Sequence, residues 1–120
     1  MSHPTAMPPT RDLLLDLYRT ATAAAAPGPA LEGRLRRLPQ QPGRRIWIVA
    51  LGKAALPMAS TAVEVLQAKP DRLVGGLIVA PEGSVSPDPR LTLYEGDHPE
   101  PGVRSLAAGT ALADTASQIA

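Results

Sequence analysis

An α/β fold built on a parallel sheet is what this sequence predicts, on three observations. Ile46-Trp47-Ile48-Val49-Ala50-Leu51 is an unbroken apolar run without alternation, as expected of a strand covered on both faces. From that run onward, strand-like and helix-like stretches follow one another, the order that builds parallel strands with crossover helices. A glycine and a lysine, Gly52-Lys53, follow the run directly, so strand passes into helix through a tight turn. Together these give Rossmann-like layering, a parallel sheet with flanking helices. Only three strands are legible over residues 1–120, few for such a sheet, so the α/β domain reads as incomplete, cut from something longer.

Along the chain, Thr10 is the expected cap of a first helix, with Asp12 in its opening turn and Leu13, Leu14, Leu17, Tyr18 and Ala21 on one apolar face. It should stop before Pro27. After the Pro27-Gly28-Pro29 break, Leu31, Leu35 and Leu38 recur at helical spacing and predict a short second helix ending at Pro39. The Ile46–Leu51 run is expected to be the central strand. Leu56, Ala59, Val63 and Leu66 then mark a third helix closed by Pro70, and Pro57 requires its first turn to be wide or to begin after Lys53. Leu73–Ala80 is a second strand, with Gly75 and Gly76 where a side chain would crowd a neighbour. Leu91–Glu95 is a third strand, and Val103 to Ala120 is an Ala-rich helix with Leu112, Ala116 and Ile119 on one face.

Composition narrows the function classes. With 44% hydrophobic and 19% charged residues the chain is globular in type, but Phe is absent, so Ala, Leu and Val must fill the core. The fourteen prolines cluster between elements as punctuation. Residues 1–60 carry a net +5 and residues 61–120 a net −4, yet Arg34, Arg36, Arg37, Arg44 and Arg45 have no interleaved aromatics, so they read as a solvated face and not a nucleic-acid surface. The absence of cysteine removes disulfides, thiolate nucleophiles and cysteine metal sites. The start MSHPTAMPPTRD has no apolar core and no run of 18 apolar residues occurs, so no membrane segment is expected and the cytoplasm is the default location.

Chemistry is concentrated at Gly52-Lys53-Ala54. Ligands of open α/β sheets bind at the carboxyl ends of strands, which is where this lysine falls. Gly52 permits a tight turn or a close backbone approach, the N–H groups opening the next helix suit an anion, and Lys53 adds a full charge. The stretch is no P-loop, because Trp47 and Ala54 stand where that motif needs glycine and Ser/Thr. Nor is it a dinucleotide fingerprint, since Ala54 and Pro57 stand where glycines are required. On spacing alone, a solvated lysine at a helix start remains the alternative. His98 is open in the same way between a substrate contact and a loop histidine held by a backbone hydrogen bond, and Gly83 between a site glycine and a plain turn.

The runs IVALGKAALPMA, GGLIVAPEG and LYEGDHPEPG, in this order ahead of an Ala-rich helix, resemble the opening of the glycerate 2-kinase family (DUF4147/MOFRL) over essentially the whole chain. The likeness is strongest at Gly52, Lys53, Ala54, Ala55, Met58 and Ala59, a G-K-A-x-x-M-A type signature, and His98-Pro99 with Pro101 resembles the family's G-H-P-x-P segment, with Asp97 in place of its glycine. The resemblance implies a two-domain α/β kinase that uses ATP and Mg²⁺ to phosphorylate glycerate to 2-phosphoglycerate. It implies Lys53 as the catalytic lysine, with Gly52, Ala54 and His98 toward substrate or phosphate and no protein metal ligands in this stretch. The family's later S-G-G-G-S-A type loop does not occur, so these residues by themselves are expected to be catalytically silent. Oligomeric state is left open, a homodimer being one option.

Two rival functions remain: a hydroxypyruvate reductase transferring hydride from a nicotinamide, against which the missing fingerprint weighs, and a non-catalytic α/β module binding a small anion at Gly52.

Overall fold

The computed structural model describes residues 9–39, 41–68 and 72–120. The polar start of the chain and the expected helix stop at Pro70 lie outside them. Seven elements follow in order: α1 (Thr10–Ala24), α2 (Pro27–Arg36), β1 (Ile46–Leu51), α3 (Ala55–Gln67), β2 (Leu73–Ala80), β3 (Leu91–Glu95) and α4 (Val103–Ile119). The strands form one parallel sheet in the order β1-β2-β3, so the architecture is the expected partial Rossmann-like layer.

The sheet order corrects one expectation. β1 is an edge strand and β2 is central, among the described residues. β1 is covered on one face only. Ile46, Ile48 and Ala50 pack against a core made by Ala55, Ala59, Val63 and Leu66 of α3 with Leu73, Ile78, Ala80 and Leu91 of the sheet. On the opposite face Val49 and Leu51 are 46% and 54% exposed. The most buried strand residues, Leu77 and Ile78, lie instead on β2, which has a neighbour on each side.

Helix starts differ from expectation for local reasons. Thr10 does not cap α1: Pro9 takes the N-cap position in an extended conformation, its carbonyl accepts the Leu13 N–H (3.1 Å), and Thr10 is already helical. α2 begins at Pro27 and not after the Pro-Gly-Pro triplet, because prolines are tolerated in a first turn whose N–H groups have no intrahelical partner. It ends at Arg36, ahead of Pro39. In α3 the same rule accommodates Pro57, since the helix opens at Ala55 and Lys53 stays outside it. α2 lies close on α3, where a Cβ at Gly28 would stand 2.9 Å from Thr61 Oγ1. α1 buries none of its residues, and Leu14, Leu17 and Tyr18 face solvent.

β1 and β2 approach closely at glycine. A Cβ on Gly76 would overlap the Ile48 carbonyl oxygen and the Leu91 side chain, while one on Gly75 would press on the Trp47 ring at 3.1 Å. These are the crowded positions that the sequence reading expects.

The loop from β2 to β3 is fixed by Asp88, only 7% exposed and the one buried charged residue among those described. Arg90 donates from Nε (2.9 Å) and Nη2 (2.8 Å) to its two carboxylate oxygens, the Arg90 N–H donates to Oδ1 (2.9 Å), and Arg90 Nη1 reaches the Leu73 carbonyl (3.2 Å). The guanidinium, then the backbone N–H, hold the carboxyl down from 3.8 to about 2. A depressed carboxyl contributes stability above its unfolded pKa, so this contribution is complete above about pH 4 and is lost as pH falls toward 2. Asp88→Asn is therefore expected to lower the melting temperature at neutral pH and to flatten its fall between pH 4 and 2. Melts of both proteins across that range check it, and parallel curves would assign the acid sensitivity elsewhere.

Candidate functional site

Because all three strands run the same way, their carboxyl ends and following loops meet at one edge of the sheet. β1 delivers Gly52-Lys53, β2 delivers Pro81-Glu82-Gly83, and β3 delivers Gly96-Asp97-His98. Lys53, Pro81, Glu82, Gly96, His98 and Arg104 line an open cleft of about 380 Å³ there. A smaller hollow of about 170 Å³ continues it inward past Gly52, Val79, Asp97 and Ser105.

Gly52 makes the turn. Its φ is +97°, the left-handed region where glycine is at ease. Its N–H donates to the Val79 carbonyl (3.0 Å), and its carbonyl accepts from Ala55 N–H (3.1 Å). The chain thus leaves the sheet and enters α3 within three residues, with Lys53 at the crest. No atom would lie within 4 Å of a Cβ at Gly52, so a substitution meets a torsional penalty and no collision. Gly52→Val is accordingly expected to cost at least about 1–2 kcal/mol and to displace Lys53; a melting temperature equal to that of the parent would show that the turn is unstrained.

Lys53 is exposed on the cleft wall and has no hydrogen bond or ion pair among the described residues. His98 lines the same cleft, exposed, preceding a cis peptide bond to Pro99, and it too lacks a partner among the described residues, including the backbone hydrogen bond of its loop-histidine reading. Gly52 lines the inner hollow beside Lys53. Ala54 occupies the N-cap position of α3 and does not line either space. The structure therefore brings together Gly52, Lys53 and His98 and leaves Ala54 behind them. Gly83 adopts φ +80° in its turn, and its N–H donates to Glu95 Oε1 (3.0 Å).

Arg104 is the residue that sequence reasoning missed. From the first turn of α4 it donates from Nε to Asp97 Oδ1 (2.9 Å), from Nη1 to Glu95 Oε2 (3.2 Å) and from Nη2 to Glu82 Oε2 (3.4 Å). It ties the loops after β2 and β3 to α4. Asp97 also exchanges hydrogen bonds with Ser105: the Asp97 N–H donates to Ser105 Oγ (2.9 Å), and the Ser105 N–H donates to Asp97 Oδ2 (3.0 Å). That backbone bond first, then Arg104, holds the Asp97 carboxyl below its ordinary range. Asp97, where a glycine is expected, thus satisfies a backbone N–H in the first turn of α4, whose N-cap position is Gly102. The legible signal was three acidic residues at or just past strand ends on one sheet edge.

Comparison with known proteins identifies the family. The sequence profile of the family described as "Domain of unknown function (DUF4147)" matches residues 13–120. A protein of Agrobacterium vitis named "Putative hydroxypyruvate reductase" is 34% identical over 98 residues, covering 82% of this chain and 21% of its own length. The chain thus spans about a fifth of that curated relative. No solved structure gives a significant match. No helix among the described residues is long and apolar enough to cross a membrane.

Proposed function

The chain belongs to the DUF4147 family, and on that premise we propose that it supplies the lysine-bearing sheet of an enzyme that transfers the terminal phosphoryl group of ATP to glycerate, giving 2-phosphoglycerate. The observation that carries the reading is Lys53: a cation without a partner among the described residues, held by a positive-φ turn at the carboxyl end of a parallel strand, facing an open cleft. Phosphoryl transfer needs fixed positive charge where the moving group's oxygens carry negative charge, and a preorganised ammonium meets that need without reorganising during reaction. His98, which lines the same cleft, would touch the acceptor. The amide of Lys53 lies ahead of α3, outside the turn's own hydrogen bonds, and suits a phosphate oxygen.

The residues present do not offer a cage for Mg²⁺. Glu82, Glu95 and Asp97 are engaged by Arg104, and no group of three His, Cys, Asp or Glu among the described residues is arranged to hold a metal ion. No step is assigned to a metal held by this chain.

The relative's name favours a second reading, reduction of hydroxypyruvate by a nicotinamide. Against it, Ala54 and Pro57 replace the glycines that would let a dinucleotide's pyrophosphate approach the turn. One experiment separates them. The full-length enzyme is given ATP with glycerate, or NAD(P)H with hydroxypyruvate, while ADP release and nicotinamide absorbance are followed. ADP formed only with glycerate supports the kinase; nicotinamide oxidation without ADP would replace it with the reductase.

A further inference from the structure

The cleft contains two cations in opposite states. Lys53 has no partner among the described residues, while Arg104 is held by three carboxylates of unequal quality. Asp97 is the firmest, with a side chain 19% exposed at 2.9 Å, and Glu95 is intermediate at 3.2 Å. Glu82 is the weakest: its side chain is 74% exposed and its oxygen sits 3.4 Å from Nη2, at the limit of a hydrogen bond. Exposed pairs of this kind contribute little and exchange readily with solvent or another anion. Asp97 and Glu95 therefore anchor the guanidinium from Nε and Nη1, Nη2 is left with the weakest partner, and Arg104 and Lys53 both line the cleft.

Resting on the reading of this cleft as the place of a hydroxy acid, we infer that Arg104 and Lys53 form a two-cation seat for the carboxylate of a small hydroxy acid, in which the incoming carboxylate displaces Glu82 from the guanidinium. A planar carboxylate matches the planar guanidinium edge, and Lys53, which lines the same cleft, supplies the second charge. Lys53, Arg104, Glu82, Glu95 and Asp97 together carry a net −1, so an anion is not drawn in by the ring as it stands. Release of Glu82 brings the remaining four to neutrality, which makes Glu82 an internal competitor and gives its removal a definite sign. Loss of Glu82 removes both the competitor and a like charge, so it is expected to strengthen binding of a carboxylate.

The test is binding, read by titration calorimetry and by the Arg104 Nε–H resonance in the full-length polypeptide, with glycerate, glycerol and inorganic phosphate as probes. Glycerate is expected to bind and shift the Arg104 signal, and glycerol, which has a hydroxyl in place of the carboxylate, is not. Glu82→Gln is expected to tighten glycerate binding about two- to fivefold, the scale of an exposed ion pair. Arg104→Gln should weaken it at least about tenfold, as for a charge-assisted contact. Should Arg104→Gln fail to fold, the Glu82→Gln result still decides. Unchanged or weaker binding in Glu82→Gln, or equal binding of glycerol, overturns the seat. Phosphate binding tighter than glycerate, with the same response to Glu82→Gln, assigns the two cations to a phosphate and overturns the carboxylate. Phosphoryl transfer is not read in these titrations. A protein that binds glycerate in this way yet forms no ADP keeps the seat and loses the kinase reading; one that forms ADP with binding indifferent to Glu82 does the reverse.

Discussion

Replacement of Lys53 by alanine is expected to lower turnover with ATP and glycerate at least about a hundredfold while leaving the fold intact. Removal of one preorganised electrostatic contact to a transition state costs on the order of 10²–10³ in rate. Stability should barely move, because Lys53 is exposed, lies ahead of α3 and holds no ion pair among the described residues. Lys53→Arg should recover little. A guanidinium is longer and planar, and on the same tight turn it cannot place a compact charge at the same point. Steady-state ADP release with a melting curve for each variant separates chemistry from folding. Near-normal turnover in Lys53→Ala would remove this residue from the reaction, and with it the principal support for phosphoryl transfer.

The largest structural effect is expected at Gly76. Its β-carbon position falls on the Ile48 carbonyl oxygen, a backbone atom of the neighbouring strand, with the Leu91 side chain close by on the other side. A flexible side chain can swing away, but a paired strand cannot move without breaking the ladder that joins Ile48 to Gly76 and Gly76 to Leu91. Overpacking of a core costs about 1–3 kcal/mol when neighbours can adjust, and more is expected where they cannot. Against a typical domain stability of about 5–15 kcal/mol, Gly76→Val should abolish cooperative unfolding or leave the protein insoluble. Gly109 provides the control. It is exposed within α4 and has no atom within 4 Å of its β-carbon position, so Gly109→Ala should stabilise by about 0.5–1 kcal/mol. If both variants melt like the parent, the close approach of β1 and β2 is absent in solution.

The parts of this fold that sequence could reveal are those decided locally. The apolar run of β1 and the glycine turn after it rest on neighbouring residues and are found as expected, and the paired glycines Gly75 and Gly76 signalled the close approach of the flanking strands although the crowding atoms lie far away in sequence. The edge position of β1 could not be read, because a continuous apolar run looks the same whether one neighbour strand or two will pair with it; strand order depends on where crossovers return. The start of α2 moved by a few residues because proline is welcome in a first turn, so Pro27 begins a helix that was expected only after the Pro-Gly-Pro triplet, whereas α3 opens after Lys53 as Pro57 required. The Arg104 cluster was out of reach for another reason. Its partners lie 7, 9 and 22 residues away in sequence, and only parallel strand ends bring them to one place. Asp88 likewise sits in a stretch that reads as an ordinary polar loop, and its burial depends on the arginine two residues on.

The one-sided cover of β1 and the bare flanks of α1 have a thermodynamic corollary. Val49, Leu51, Leu14, Leu17 and Tyr18 are already largely wet when the chain is folded, so unfolding hydrates less new apolar surface than the chain's length suggests. Heat capacity of unfolding and denaturant sensitivity both scale with that newly hydrated area. This chain by itself is therefore expected to unfold with a heat-capacity increment below the usual ~12–15 cal/mol/K per residue and along a shallow urea curve, its stability varying less with temperature than that of a fully wrapped domain of equal length.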